Sequence, residues 1–313
     1  MKRRTLLAGL LGMLTVKSAA QGQRSASLSR IGVLTLEYPE TLRQSLRELG
    51  YIEGRNIVLE IQDTLGRPER VADLASELVR LNVDVIIATY PAAVLSASRA
   101  TTTIPIVMVN TPDPIDLGLD DSLARPGRNL TGVTSLSVDL SVKQVQLLKE
   151  AIPRASRIGM LWNPDNPWHS LAVKGLREVQ IQMHEVRDPK DVENALKAMI
   201  REGVGAIFVP GDPVTFAYRN RLADLAIRHR LPMMGGPRGY TLSGGLMSYS
   251  ADEVTLFQRT ASYVDRILKG AKPSELPIEQ PTKFELLINL PTARALNITI
   301  PASLTARADK LIQ

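Results

Sequence analysis

Short apolar runs alternate with amphipathic stretches along the chain from Arg30 onward. The runs are rich in Val and Ile, which predicts buried strands. In the stretches between them, apolar residues recur every three or four positions, as Leu42, Leu46 and Leu49 do, and this spacing predicts helices that cover a sheet on one face. Alternating strands and helices are typical of βαβ units, so the pattern predicts an α/β fold with parallel sheets.

The predicted strands fall into two sets, one in each half of the chain, and each set with its helices suffices for a doubly wound lobe. The strands of the first half are Ile31–Leu36, Asn56–Gln62, Asp84–Thr89 and Ile104–Asn110. Those of the second half are Arg157–Asn163, Ile181–Arg187, Ala206–Gly211 and Leu231–Gly235. Helices of the second half are predicted near residues 168–180, 189–202 and 214–230.

The two halves also echo each other in sequence. The segment Arg30–Leu34 reads RIGVL and Arg157–Leu161 reads RIGML, an offset of 127 residues. Ile104-Pro105 and Leu231-Pro232 are related by the same offset. A repeated plan of this kind predicts two lobes of similar topology.

The chain continues beyond the second half, which predicts that it crosses between the lobes several times. We expect one lobe of residues 30–136 with 249–273, a second of 137–248 with 274–313, hinge crossings between them and a ligand cleft where they face each other. The predicted elements of the tail are strand Gly245–Ser250, helix Glu253–Leu268, strand Lys283–Leu290 and a closing helix Pro301–Ile312.

The first twenty residues have the organisation of a secretory signal. Basic residues at 2–4 precede an apolar run at 6–14, and Ser18 and Ala20 are the small residues at −3 and −1 of a cut after Ala20. We therefore predict a signal peptide over 1–20 and a periplasmic protein, with the adjacent arginines resembling a twin-arginine signal. The alternative is a short buried N-terminal helix. No later segment approaches the length of a membrane span.

Composition narrows the class of partner. Four of the basic residues lie in the first twenty positions, where no acid occurs, so the net charge of +6 falls to +2 without them. That surplus is too small to indicate a nucleic-acid partner. The absence of cysteine excludes disulfides, thiolate metal sites and a lipidated N-terminal Cys. The three histidines are far apart in the sequence, and no metal or other cofactor is expected.

Candidate binding residues follow the predicted strands, because ligands of doubly wound sheets lie beyond the carboxyl ends of the strands. In these small polar loops, Asp113 or Asp212 suits a ligand ammonium, and helix starts suit a carboxylate. The alternative is that Asp113, Asp165 and Asp212 only cap turns and helices. The candidate ligand-binding residues are Thr89, Tyr90, Pro91, Ala92, Asn110, Thr111, Asp113, Asn163, Asp165, Asn166, Gly211, Asp212, Gly235 and Gly236.

Short catalytic signatures are absent from the sequence. There is no G-x-G-x-x-G, no phosphate-binding G-x-x-x-x-G-K-[ST], no G-x-S-x-G and no H-E-x-x-H. No catalytic residue is expected. A secreted or cytosolic α/β enzyme stays open as an alternative, because triads assemble from residues far apart in sequence. The effector-binding domain of a sensor is a further alternative, although residues 1–30 are too few and too apolar for a helix-turn-helix.

Four long segments resemble the ABC transporter substrate-binding protein family, in the branch related to the tryptophan-binding component of such importers. The segments are Leu46–Ile57 (LRELGYIEGRNI), Asp113-Pro114 followed by Ser122–Gly132 (SLARPGRNLTG), Leu161–Pro167 (LWNPDNP) and Gln280–Leu290 (QPTKFELLINL). The resemblance covers nearly all of residues 30–312.

The resemblance implies a type I periplasmic-binding fold with a ligand cleft between two lobes and no catalytic residues. It implies an exported solute-binding component of an ABC importer that captures a small polar molecule, with an aromatic amino acid as the ligand of some relatives. The implied partners are that small molecule and an inner-membrane permease with its ATPase, and a monomer is expected. The resemblance implies cleft loops that begin at Thr89, Asn110, Asn163, Gly211 and Gly235. These are the same loops that follow the predicted strands.

Overall fold

A computed structural model describes residues 28–36, 40–64, 67–111, 114–134, 137–176 and 180–313. Its first sheet has five parallel strands in the order β2-β1-β3-β4-β5. The strands are β1 Ser29–Thr35, β2 Ile57–Asp63, β3 Val85–Ala88, β4 Ile106–Thr111 and β5 Leu130–Thr134. Helices α1 Glu40–Glu48, α2 Val71–Arg80 and α3 Pro91–Ala100 connect them, with a 3₁₀ turn at Pro68–Arg70.

The middle of the chain builds a second strand set on the same plan. Its strands are β6 Ile158–Trp162, β7 Ile181–Glu185, β8 Ala206–Val209, β9 Met233–Gly235 and β10 Met247–Ala251. Its helices are α4 Ser137–Ala151, α5 Pro167–Gly175, α6 Pro189–Arg201, α7 Pro213–Ala217, α8 Arg219–Arg228 and α9 Arg238–Leu242. These strands are all parallel, in the order β10-β9-β8-β6-β7.

The remaining residues complete both layers. Helix α10 Glu253–Leu268 packs on the first sheet against α1, while β11 Phe284–Asn289 joins the second sheet antiparallel to β10. After α11 Leu290–Ala295 and α12 Ala302–Arg307, β12 Lys310–Ile312 pairs parallel with β11. We call the first sheet with its helices, α10 included, the first lobe, and the second sheet with its helices the second lobe.

The two lobes have the same topology, as the sequence echo predicted. Strands β6, β7, β8, β9 and β10 take the positions in their sheet that β1, β2, β3, β4 and β5 take in the first. The echoed prolines make equivalent contacts, because Ile86 N donates to Pro105 O at 2.9 Å and Ile207 N donates to Pro232 O at 2.8 Å. The repeated sequence segments therefore occupy equivalent positions in two similar sheets.

Apolar clusters cover both faces of each sheet, as a doubly wound fold requires. In the first lobe, α1 and α10 pack on one face and α2 and α3 on the other. In the second lobe, α4 covers one face, and α6 and α8 cover the other. The carboxyl ends of the parallel strands stay uncovered by these helices, and the two lobes face each other at those ends.

The chain passes between the lobes at three places: from β5 to α4, from β10 to α10, and from α10 to β11. The expected lobe boundaries at Tyr249 and Ser274 stay predictions. Near the first of these boundaries, strand β10 stays paired in the second sheet as far as Ala251. Leu276 and Ile278 lie in the apolar clusters of the first lobe.

Two predicted elements need correction, and one strand was not predicted. Helix 214–230 is two helices, α7 and α8, that meet at Tyr218. The predicted closing helix Pro301–Ile312 ends at Arg307, and its last residues form β12 because they complete the edge of the sheet beside β11. Strand β5 escapes prediction because its Gly-containing segment carries a weak strand signal.

Candidate functional site

A cavity of about 520 Å³ lies between the lobes. Residues that follow β1 and β3 line one side, and residues that follow β8 and β9 line the other. Each parallel sheet therefore presents its carboxyl edge to the same space, which is where doubly wound folds bind ligands. Helices α4 and α10, which flank the crossings, close the remaining side through Leu140, Gln144 and Phe257.

The first-lobe side of the cavity offers hydroxyl groups and a helix N-terminus. Thr89 Oγ1 donates to Thr35 Oγ1 at 3.0 Å, so hydroxyls from the ends of β1 and β3 lie side by side. Helix α3 begins at Pro91, and no side chain caps it, because its N-cap residue is Tyr90. The positive end of the helix dipole therefore favours an anionic group at this point, while Pro91 itself has no N–H to donate.

Asp212 is the acid on the second-lobe side. Its Oδ1 accepts from Val214 N at 2.9 Å and caps α7. Its Oδ2 accepts from Asn163 Nδ2 at 3.2 Å and Asn166 Nδ2 at 3.0 Å. The residue is only 2% exposed, and among the described side chains no lysine or arginine lies within ion-pair distance of it. A buried carboxylate held by neutral donors keeps its capacity to bind a cation.

His169 fixes the loops that hold Asp212. Asn163 N donates to His169 Nδ1 at 2.7 Å, so the ring proton lies on Nε2, which is 3.2 Å from Gly211 O. The side chain is fully buried. Burial lowers the pKa of His169 below its ordinary value of 6.5. This effect outweighs the opposite effect of the nearby Asp212 carboxylate. The ring is therefore a neutral link between the loops after β6 and β8.

Aromatic side chains give the cavity apolar surface. Phe216 on α7 lines it and meets Tyr240 edge to face at 5.6 Å, while the Arg219 guanidinium lies 4.3 Å from the Phe216 ring centre. The Phe216 ring packs against Gly239, and a Cβ at residue 239 would come within 2.7 Å of that ring. Trp168 at the start of α5 also lines the cavity. These two rings give the cavity aromatic contact surface.

Several predicted site residues meet at this cavity. Thr89, Tyr90, Pro91, Gly211, Asp212 and Gly236 line it. Asn163 and Asn166 hold Asp212 from behind, and Gly235 packs against Tyr240. Asp113 and the side chain of Asn110 lie outside the described residues. The assignment of these residues to a ligand stays a prediction.

Other predicted residues point elsewhere. Asp165 is exposed, and both of its carboxylate oxygens accept from Arg187 Nη1 at 2.7 Å. Ala92 and Thr111 do not line the cavity, and Thr111 donates to Val109 O at 3.1 Å. Tyr240 is fully buried and shares a hydrogen bond of 2.8 Å with Thr215, so it does not line the cavity.

Sequence reasoning missed some of the cavity residues. Thr35 ends β1 and Leu36 follows it, at a position that the strand-end rule covers. Thr41, Gln144 and Glu253 lie on helices that the cavity reaches only because the lobes fold toward each other. No local pattern marks such residues, since each belongs to a different segment.

Two α/β lobes of like topology, joined by several crossings around a cavity, define a two-lobed binding protein with the type I periplasmic-binding fold. The chain belongs to the ABC transporter substrate binding protein family, whose model matches residues 36–312. None of the described helices is both long and apolar enough to cross a bilayer.

Known relatives extend over most of the chain. A tyrosine-binding protein of Clostridioides difficile (strain R20291) is 25% identical over 318 residues, covering 94% of this chain and 91% of the relative. The crystal structure of a conserved domain protein from Vibrio cholerae has a TM-score of 0.82 at 26% identity, with 91% of this chain and 100% of that chain covered. A Streptococcus pneumoniae ABC domain in complex with L-Trp has a TM-score of 0.80 at 24% identity and the same coverage.

Proposed function

We propose that this protein is the ligand receptor of an ABC importer and that its ligand is an amino acid with a large apolar, aromatic side chain. The ligand is held between the lobes and released unchanged, so no residue of the cavity is catalytic. The observation that carries this proposal is the pairing of a buried, uncompensated Asp212 on one lobe with the uncapped N-terminus of α3 on the other.

The charges of the cavity suit a zwitterion. The Asp212 carboxylate would bind the ligand ammonium, while the positive end of the α3 dipole, where Tyr90 and Pro91 line the cavity, would attract its carboxylate. Because these groups lie on different lobes, a zwitterion would touch both at once. An amino acid would therefore stabilise the closed arrangement of the lobes more than the open one.

The apolar surface favours an aromatic side chain. Phe216 and Trp168 offer rings at the cavity, and a volume of about 520 Å³ is ample for one amino acid. The tyrosine-binding relative supports an aromatic ligand. The L-Trp complex supports the capacity of this fold to hold one.

Calorimetry with matched ligands tests the proposal. L-tyrosine, L-tryptophan and L-phenylalanine are each titrated into the purified protein, and 3-phenylpropionate, which lacks the ammonium group, is the control for L-phenylalanine. Loss of one charge-assisted contact to Asp212 should weaken binding about ten- to hundredfold. Equal affinity for L-phenylalanine and 3-phenylpropionate would contradict the zwitterion site. An amino acid recovered in altered form would favour an enzyme.

The cellular setting is part of the same proposal. We propose export to the periplasm, removal of residues 1–20, and delivery of the ligand by a monomeric protein to an inner-membrane permease with its ATPase. The family and the signal-like organisation of residues 1–20 support this setting. Those residues lie outside the described part of the structure.

Cleavage after Ala20 is a direct prediction of that setting. Ser18 and Ala20 match the small-residue preference at −3 and −1, and a polar segment begins at Gln21. N-terminal sequencing of the exported protein should therefore begin at Gln21. A mature protein that begins at Met1 would contradict both the cleavage site and the signal.

A further inference from the structure

The carboxylate of Glu253 is shared between the lobes at the cavity. Its Oε1 accepts from Thr41 Oγ1 at 2.9 Å, and its Oε2 lies 3.3 Å from Arg238 Nε. Thr41 belongs to α1 of the first lobe and Arg238 to α9 of the second. All three residues line the cavity, so this ion pair joins the two lobes beside the proposed ligand.

A second carboxylate holds the guanidinium on its own lobe. Arg238 Nη1 donates to Glu285 Oε1 on β11 at 3.3 Å. The exposed fraction of the side chain is 25% for Arg238, 29% for Glu253 and 14% for Glu285. These groups are partly shielded from water, so the attraction between them is screened less than it would be at an open surface.

The ion pair lies next to a crossing between the lobes. Asp252 connects β10 to α10, and its backbone N–H donates to Lys283 O at 3.0 Å. Its carboxylate caps α10 through Thr255 N at 3.0 Å and lies 3.3 Å from Lys283 Nζ. The chain just before Glu253 is thus tied to both lobes, and a rotation of the lobes about this crossing changes the distance between α9 and α10.

We propose that Thr41, Arg238, Glu253 and Glu285 form a hinge clasp, an interlobe ion pair that sets the balance between open and closed lobes and thereby the affinity for ligand. When the lobes open, the Arg238–Glu253 pair separates. Glu285 keeps the guanidinium partnered, and Thr41 keeps the Glu253 carboxylate partnered. Neither charge is left alone in the open state, so the pair favours closure by a modest amount and does not lock it.

Distances between labels on the two lobes test the clasp without any ligand. The sequence contains no cysteine, so Asp73→Cys on α2 and Lys197→Cys on α6 give two unique sites for spin labels in the full chain. Both positions are exposed. In the ligand-free protein, Glu253→Gln should shift the distance distribution toward that of more open lobes, because the amide keeps the Thr41 contact and loses the ion pair.

The matched control removes an ion pair inside one lobe. Glu150→Gln breaks the 3.1 Å pair between Arg307 of α12 and Glu150 of α4 and should leave the distribution unchanged. A Glu253→Gln distribution identical to those of the wild type and the control would overturn the clasp. If Glu253→Gln fails to fold, Arg238→Gln breaks the same pair from the other lobe, and an unchanged distribution in that variant would overturn the clasp equally.

Affinity gives a second readout, which rests on the proposed function. L-tyrosine should bind Glu253→Gln about two- to fivefold more weakly than wild type, as expected for a partly exposed ion pair. The losses in the Glu253→Gln and Arg238→Gln variants should not add in the double variant, because each change breaks the same pair. Additive losses would contradict the clasp. A wild-type protein that binds no aromatic amino acid would overturn the proposed function and leave the label distances as the test of the clasp.

Discussion

Asp212 shows how one residue can cap a helix and line the cavity between the lobes. Its Oδ1 caps α7, so the capping alternative raised by the sequence describes part of its role. Its Oδ2 holds two asparagines of the loop after β6, and the residue also lines the cavity. The capped helix carries Phe216, which lines the same space. A substitution at Asp212 would therefore disturb the loops as well as the charge.

Buried His169 predicts a pH dependence of stability. Because burial lowers its pKa in the folded protein, the unfolded chain binds more protons as the pH falls below 6.5, and the free energy of unfolding decreases there. His169→Gln should flatten this decrease between about pH 7 and pH 5.5, measured by urea unfolding at each pH. Burial also lowers the pKa of His184, so part of the slope should remain.

The control for this experiment is His229→Gln, which removes an exposed histidine at the end of α8. A His169→Gln protein with the same pH slope as wild type and this control would show that the ring is not held neutral in the folded state.

The candidate residues could be predicted where they follow strands. Thr89, Gly211 and Asp212 lie at strand ends, and the rule for doubly wound sheets is sufficient to find them. His169 could not be found in this way, because a lone histidine after an Asn-Pro loop carries no local signal. Its contacts to Asn163 and Gly211 arise from the neighbouring strands β6 and β8, which only the folded sheet brings together.

At the scale of elements, β5 depends on one glycine. Gly132 has φ of +130°, and a Cβ on it would lie 2.1 Å from Met108 O on the neighbouring β4. Its carbonyl accepts from Glu279 N at 2.9 Å, in the segment that returns to the second lobe. Strand β5 therefore packs closely against β4 on one edge and forms a hydrogen bond with the segment around Glu279 on the other.

Gly132→Ala should destabilise the protein strongly. The added methyl group meets backbone and not a flexible side chain, so we expect a loss of about 2–3 kcal/mol in the free energy of unfolding, measured by urea denaturation. Gly127→Ala is the control, because nothing lies within 4 Å of its Cβ position and it should change stability by less than about 0.5 kcal/mol. Equal stabilities for the two variants would contradict the close approach of β5 to β4.

Most elements could be predicted from periodicity, and the exceptions share a physical reason. Helix α10 matches its predicted range Glu253–Leu268 because its apolar face repeats over several turns. Strand β12 is three residues long and forms only by pairing with β11, so tertiary contact overrides the helical pattern of its sequence. Helices α7 and α8 meet at Tyr218, but the pattern of polar and apolar residues continues across that position. The pattern therefore does not show where α7 ends.

At the scale of the whole molecule, the repeated plan explains why a cavity forms. Two sheets with the same topology face each other at their carboxyl edges, and three crossings join the lobes. Rotation at crossings of this kind can change the angle between two lobes while each core stays packed. The offset of 127 residues predicted this pairing of similar lobes. How the lobes lie around the cavity depends on contacts between distant segments, such as Glu253 with Arg238, which no local pattern encodes.

Small-angle X-ray scattering of the purified protein, with and without saturating L-tyrosine or L-tryptophan, tests most directly the claim that this is a receptor that closes on an aromatic amino acid. Only the closed form lets groups of both lobes touch the ligand, so the differential affinity should favour closure. The radius of gyration should therefore be smaller with either amino acid and unchanged with 3-phenylpropionate. An unchanged radius with both amino acids at saturation would contradict closure of the lobes on such a ligand.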